Sequence, residues 1–147
     1  MKSKIELEPF GTGDIVDHTL TEEEELYKEN ILDHYKHPRN KQKLEKYTCS
    51  HREFNPLCGD EITIFLCVKN NAVNDASFQG NGCAISQAAA SMLTDFVKGK
   101  TVEEIKRLGP WDVFNLLGVR ISHTRSKCAL LCLKTIQAAV KEKENQK

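Results

Sequence analysis

Glu61-Ile62-Thr63-Ile64-Phe65-Leu66-Cys67-Val68-Lys69-Asn70-Asn71 is the stretch on which the fold turns. Ile62, Ile64, Leu66 and Val68 alternate with Glu61, Thr63, Phe65, Cys67 and Lys69, so the side chains follow the period of two that a strand imposes. β-branched and aromatic residues dominate, and Asn70-Asn71 supplies a turn. Val73 to Gln79 reads as the next strand, and Tyr47 to Phe54 as a short one before. Three sequential strands joined by short turns make an antiparallel sheet.

Helices are expected before and after these strands in the chain. Upstream, Thr21-Glu22-Glu23-Glu24 is a capping box whose acidic run suits the positive end of a helix dipole. Tyr27, Ile31, His34 and Tyr35 then share one face, with Ile31 and Tyr35 expected in the core and His34 at its polar edge. His37-Pro38-Arg39-Asn40 ends that helix. Downstream, Gly80-Asn81-Gly82 breaks the third strand and Cys83 stands where a helix begins. Ile85, Ala89, Met92 and Phe96 form its apolar stripe, and Gly99 stops it. Thr101-Val102-Glu103-Glu104 is a second capping box, Pro110 suits a first helical turn, and Trp111, Phe114 and Leu117 form a short apolar face. Val119 to Lys127 lacks helical periodicity and reads as an exposed loop. Cys128 opens the last helix, whose face carries Ala129, Cys132, Leu133, Ile136 and Val140. The expected fold is therefore α+β, helices layered on a three-stranded antiparallel sheet.

At 147 residues the chain has the length of one domain with a real core. Residues 1–20 read as a flexible N-terminal arm and 21–147 as a single domain. Lys plus Arg and Asp plus Glu number 21 each, so no global charge points to nucleic acid or a membrane surface. No apolar run approaches a membrane span, and the acidic, h-region-free start argues against export. Six cysteines in such a chain are expected in a reducing cytoplasm as metal ligands, reactive thiols or core residues.

Three of those cysteines stand at structural junctions. In Asn55-Pro56-Leu57-Cys58-Gly59-Asp60, a thiol and a carboxylate two residues apart project the same way. Cys83 and Cys128 are each expected at a helix start, where unpaired backbone N–H groups favour a thiolate. With Asp60 these cysteines make a Cys₃Asp set able to surround one tetrahedral metal. The wide spacings from Cys58 to Cys83 and onward to Cys128 match no zinc finger or ribbon. Such a site is assembled by folding. The alternative is that all three are small buried residues.

Several segments resemble the U-type iron–sulfur cluster assembly proteins, the family of IscU, SufU and the N-terminal domain of NifU. They are Leu26 to Tyr35, His37-Pro38-Arg39-Asn40, Asn55 to Asp60, Gly82-Cys83-Ala84-Ile85-Ser86 and Lys127-Cys128. The resemblance runs from about residue 24 to the end of the last helix. It implies a compact α+β fold with Cys58, Asp60, Cys83 and Cys128 as metal and cluster ligands at one exposed end. The IscU branch has a histidine directly before the last cysteine and a Leu-Pro-Pro-Val-Lys segment near it. Here Ser122-His123-Thr124-Arg125-Ser126-Lys127 replaces both, and His123 reads as a loop surface residue. Arg125-Ser126-Lys127-Cys128 is similar to the Arg-x-Lys-Cys of the SufU branch. The insertion usual in that branch does not fit the short span between Lys100 and Cys128.

The resemblance implies iron–sulfur cluster assembly. A cysteine desulfurase of the SufS or IscS kind delivers persulfide sulfur, with Cys58 or Cys128 as acceptor. A [2Fe–2S] cluster is then built and handed to apo iron–sulfur acceptor or carrier proteins, with Asp60 as the labile ligand. The second reading is a zinc-dependent sulfurtransferase that relays sulfur, and the third a structural zinc domain. Arg125 and Lys127 are candidates to stabilise the Cys128 thiolate or to meet a carboxylate on a partner. Cys67 and Cys132 are expected in the core, Cys49 and His51 near the surface, and Trp111 in the core.

Overall fold

The computed structural model describes residues 22–56, 59–118 and 121–145, and the side chains of all of these except 22–24, 123, 124 and 145. The expected arm over residues 1–20, the cap residue Thr21, and Leu57 and Cys58 lie outside the described residues.

A helix, α1 (Glu22–Lys36), precedes strands β1 (Cys49–Asn55), β2 (Asp60–Lys69) and β3 (Ala72–Asn81). Four helices follow: α2 (Ala84–Phe96), α3 (Val102–Lys106), α4 (Pro110–Leu117) and α5 (His123–Asn145). The strands form one antiparallel meander in the order β1-β2-β3. Asn70 and Asn71 both take left-handed backbone angles, with φ 53 and φ 63 degrees. β2 and β3 therefore join through the two-residue turn that matches strand twist. β3 does not stop at Gly80 as expected. Gly80 takes φ 141° opposite Ile62, where a Cβ would strike the Glu61 carbonyl. Glycine here lets two strands approach rather than ending one.

Ile62, Ile64 and Leu66 of β2 and Phe78 of β3 turn one sheet face into the main core, where α2 and α5 supply Ala88, Ala89, Leu93, Ala129, Cys132 and Ile136. Small residues on α2 let it lie close to its neighbours. On the opposite face Phe65 and Cys67 are covered by Leu44. The Tyr47 ring stands edge-on to Phe65 at 5.1 Å, a favoured aromatic geometry. Cys67 is thus the buried thiol its place beside Phe65 implies.

The capping box of α3 forms: Glu104 N–H donates to Thr101 Oγ1 at 3.1 Å and Thr101 N–H to the Glu104 carboxylate at 2.9 Å. The Gln137 amide of α5 donates to the Ile105 and Leu108 carbonyls at 3.0 and 2.9 Å. It thereby satisfies acceptors at the end of α3.

Four further expectations fail. Tyr35 is 44% exposed, because only Ile31 on that face of α1 reaches the core. Trp111 is 75% exposed: it starts α4 on the outward side and meets the edge of Phe114, while Val113 and Leu117 turn inward. Cys49 is buried rather than superficial, since β1 packs under α5. The last helix begins at His123, not Cys128. Ser122 caps it: its carbonyl accepts from Arg125 and Ser126 N–H at 3.0 Å. Its hydroxyl accepts from Arg125 N–H at 3.3 Å, as an N-cap side chain does.

Candidate metal centre

Asp60, Cys83 and Cys128 meet where three elements converge. Asp60 is the first residue of β2, paired with Asn55, and is only 1% exposed. Cys83 is the extended N-cap of α2 and is half-buried. Cys128 lies in the second turn of α5 and is 2% exposed. One ligand atom from each, a carboxylate oxygen and two sulfurs, all lie within 4.8 Å of one another. No other trio of His, Cys, Asp or Glu side chains gathers so closely among the described residues. These donors are more deeply buried than an exposed end implies, although Gly59 and Asn81 beside them are exposed.

The carboxylate is oriented by the chain itself. Asp60 Oδ1 accepts the Cys83 backbone N–H at 3.0 Å, and Oδ2 faces Cys83 Sγ at 3.9 Å. Ser86 Oγ–H donates to the Cys83 carbonyl at 3.1 Å, holding the first turn of α2. Around one tetrahedral ion with metal–sulfur bonds of about 2.3 Å and a metal–oxygen bond of about 2.0 Å, neighbouring ligand atoms stand about 3.5–3.8 Å apart. The donors fit such an ion after small inward rotations. Two thiolates beside one carboxylate suit zinc or iron better than magnesium or calcium.

The other candidates distribute as follows. Cys58, two residues before Asp60, lies outside the described residues. Because α5 begins early, Cys128 has no helix terminus beside it, and the dipole argument for its thiolate does not hold. Arg125 and Lys127 are exposed on the first turns of α5 rather than in a loop, and His123 is the first residue of that helix. Lys127 lines a groove with Phe54, Pro56 and Leu130. Cys132, one turn beyond Cys128, is 1% exposed in apolar surroundings that push its thiol far above the ordinary range. Cys49 is likewise raised by burial. His51 is engaged elsewhere, its two ring nitrogens meeting Glu53 at 2.8 Å and Glu142 at 2.6 Å. Ser86 and the Cys83 N–H escape sequence reading as contributors; a glycine directly before a helix-capping cysteine is the available signal.

The chain belongs to the family of the NifU-like N-terminal domain, whose pattern it matches over residues 26–147. It is 35% identical over 136 residues to "Zinc-dependent sulfurtransferase SufU" of Bacillus subtilis, covering 81% of this chain and 92% of that protein. It is also 35% identical over 115 residues to "Iron-sulfur cluster assembly scaffold protein IscU 1" of Archaeoglobus fulgidus, with 78% and 74% covered. Among solved structures, a candidate cluster assembly scaffold for the SUF system from Fervidobacterium islandicum superposes with a TM-score of 0.66 at 30% identity, over 76% of this chain and 94% of that one. A NifU-like N-terminal domain from Brucella abortus gives 0.70 at 18% identity, over 84% and 98%, a likeness of fold alone.

Proposed function

We propose that this protein assembles iron–sulfur clusters, receiving sulfur as a persulfide from a cysteine desulfurase and building a [2Fe–2S] cluster for transfer to apo acceptor proteins. The observation that carries the proposal is the convergence of Asp60, Cys83 and Cys128 within 4.8 Å. Cys58 is the fourth ligand in this reading, being two residues from Asp60 in the same motif. In the sulfur-transfer step a thiolate of this chain attacks the outer sulfur of the desulfurase persulfide. The S–S bond breaks, the desulfurase cysteine leaves as a thiolate, and the sulfane sulfur remains here as a new persulfide; two electrons per sulfur from an external thiol or ferredoxin-type donor would then release it as the sulfide of the cluster. Cys58 and Cys128 are the two candidate acceptors, and Cys128 is buried, so it would have to be uncovered on docking. Three sulfurs hold iron firmly while a single carboxylate oxygen holds it less so, which suits a cluster that must leave.

A second reading has its own support. Arg125-x-Lys127-Cys128 and the likeness to a relative named a zinc-dependent sulfurtransferase favour a zinc-holding sulfur relay. Zinc would keep the thiolates ionised and shielded from oxidation until a partner frees one. Against it, 81% of this chain cannot fill 136 aligned positions, so that relative carries residues with no counterpart here. The alignment with the scaffold relative, 115 residues over 78% of the chain, needs almost none. The proposed setting is the cytoplasm, where free thiols persist. No described helix is long and apolar enough to cross a membrane.

Anaerobic reconstitution with iron, cysteine and the cognate desulfurase, followed by an apo-ferredoxin, separates the two readings. A cluster that forms on this protein and then matures the ferredoxin supports a scaffold. Retained zinc, faster desulfurase turnover and no transferable cluster would make it a relay.

A further inference from the structure

We propose that Gly82 is a positioning residue for the metal centre, present for space rather than for backbone freedom. The inference rests on the metal-binding reading above. Gly59, directly before Asp60, offers the contrast: it takes a left-handed φ of 71° and has nothing within 4 Å of where a Cβ would stand. Gly82 is the reverse. Its φ lies outside the left-handed region, so alanine is conformationally acceptable there. Yet a Cβ would press on Ser86 Oγ and stand 2.8 Å from Asp60 Oδ1 and 3.0 Å from its Cγ.

The two obstacles differ in how they yield. Ser86 Oγ is the end of a side chain free to rotate, at the loss of its bond to the Cys83 carbonyl. The Asp60 carboxylate is buried and tied through Oδ1 to the Cys83 N–H. Gly82 therefore lets the carboxylate lie against the chain just before α2, so that the backbone occupies Oδ1 while Oδ2 faces the Cys83 thiol. Asp60 is thereby set up as a one-oxygen ligand. A methyl group at residue 82 would tilt the carboxylate out of that seat.

The test uses the full chain loaded anaerobically with Zn²⁺ or Co²⁺ alone. Zinc affinity is read by chelator competition and ligand geometry by the Co²⁺ visible spectrum. Gly82→Ala should weaken zinc about 10- to 100-fold, the range for residues that orient ligands, and should alter the Co²⁺ bands. Ser86→Ala removes one hydrogen bond at the first turn of α2 but leaves the carboxylate in its seat, so it should weaken zinc less than Gly82→Ala does, and Gly82→Ala should still lose affinity when made in the Ser86→Ala background. Wild-type affinity and spectrum in Gly82→Ala, or recovery in the double variant, would overturn the inference. A readout on unaltered protein guards against a variant that fails to fold: the Cys83 amide proton should remain hydrogen-bonded by NMR before and after zinc addition. Loss of that bond on loading would overturn the one-oxygen seat while leaving the metal site standing. A wild-type chain that binds neither ion would remove the metal reading itself.

Discussion

The two ends of the same helix-on-sheet layer bury polar atoms in opposite ways. At the end where α1 stops, Ser91, Thr94 and Asn40 all find hydrogen-bonding partners of ordinary strength. Ser91 Oγ, fully buried, accepts the Arg39 N–H at 2.8 Å and shares a hydrogen with His34 Nδ1 at 2.7 Å. The Asn40 amide donates to Thr94 Oγ1 at 3.1 Å while its oxygen accepts from Lys98 Nζ at 2.7 Å, and Lys98 also faces Asp75 and Asp95. At the other end Asp60 is equally buried, but it accepts one backbone N–H and otherwise faces two thiols. The first set is a closed network and acts as a latch between α2 and the chain that follows α1. The second presents soft and hard donors to one point. Burial does not distinguish the two sets; the way their polar atoms are satisfied does.

The largest expected effect tests that division directly. Cys83→Ala and Cys128→Ala should each drop bound zinc from about one ion per chain to nearly none, and so should Cys58→Ala under the four-ligand proposal, because each would remove one corner of the proposed tetrahedral site. Cys67→Ala and Cys132→Ala should keep the metal, because both thiols sit in apolar clusters. Metal analysis of the purified variants decides. Normal zinc in Cys83→Ala would dissolve the distinction between the two ends.

Much of this layout is legible in the sequence, for physical reasons. Alternation in β2, the paired asparagines and the Thr101 box are local signals, and each sets its element. Cys83 is readable as a cap because small residues and an apolar stripe follow it. The start of α5 is not. Its first turns carry Arg125 and Lys127, which stay in solvent, so no apolar period exists before Cys128; the hydroxyl of Ser122 is the one cue. Trp111 misleads because periodicity tells which residues share a face and not whether anything covers it. The seat of Asp60 needs three dimensions, since Gly82 touches it from a different strand end.

An intermediate effect sharpens the latch side. Asn40→Ala removes a partner of Thr94 and of Lys98 together, and it replaces a residue at φ 66° with one less tolerant of that angle. The cost should be about 1–3 kcal/mol in a denaturant midpoint measurement. Zinc stoichiometry should not move. Loss of metal in this variant would mean that the two ends are coupled, and the separation drawn above would fail.

The smallest effect is a pair of opposed pH responses. Burial holds the half-buried His34 imidazole below its ordinary 6.5, with Arg39 adding to that. For His51 burial pulls the same way, but hydrogen bonds to Glu53 and Glu142 outweigh it and raise the ring above 6.5. A lowered histidine favours folding when neutral, so the contribution of His34 is present above pH 6.5 and fades as acid drives the pH through its folded value. A raised one favours folding when charged, so that of His51 is complete below pH 6.5 and fades as pH rises through its folded value. Unfolding of His34→Gln and His51→Gln between about pH 5 and 8 should thus diverge from wild type with opposite slopes. The His51 difference should be about 0.2–1 kcal/mol at the acid end, the range for ion pairs near the surface. Parallel slopes would show that the two histidines share one environment, and that the β1–α5 clasp has no electrostatic character of its own.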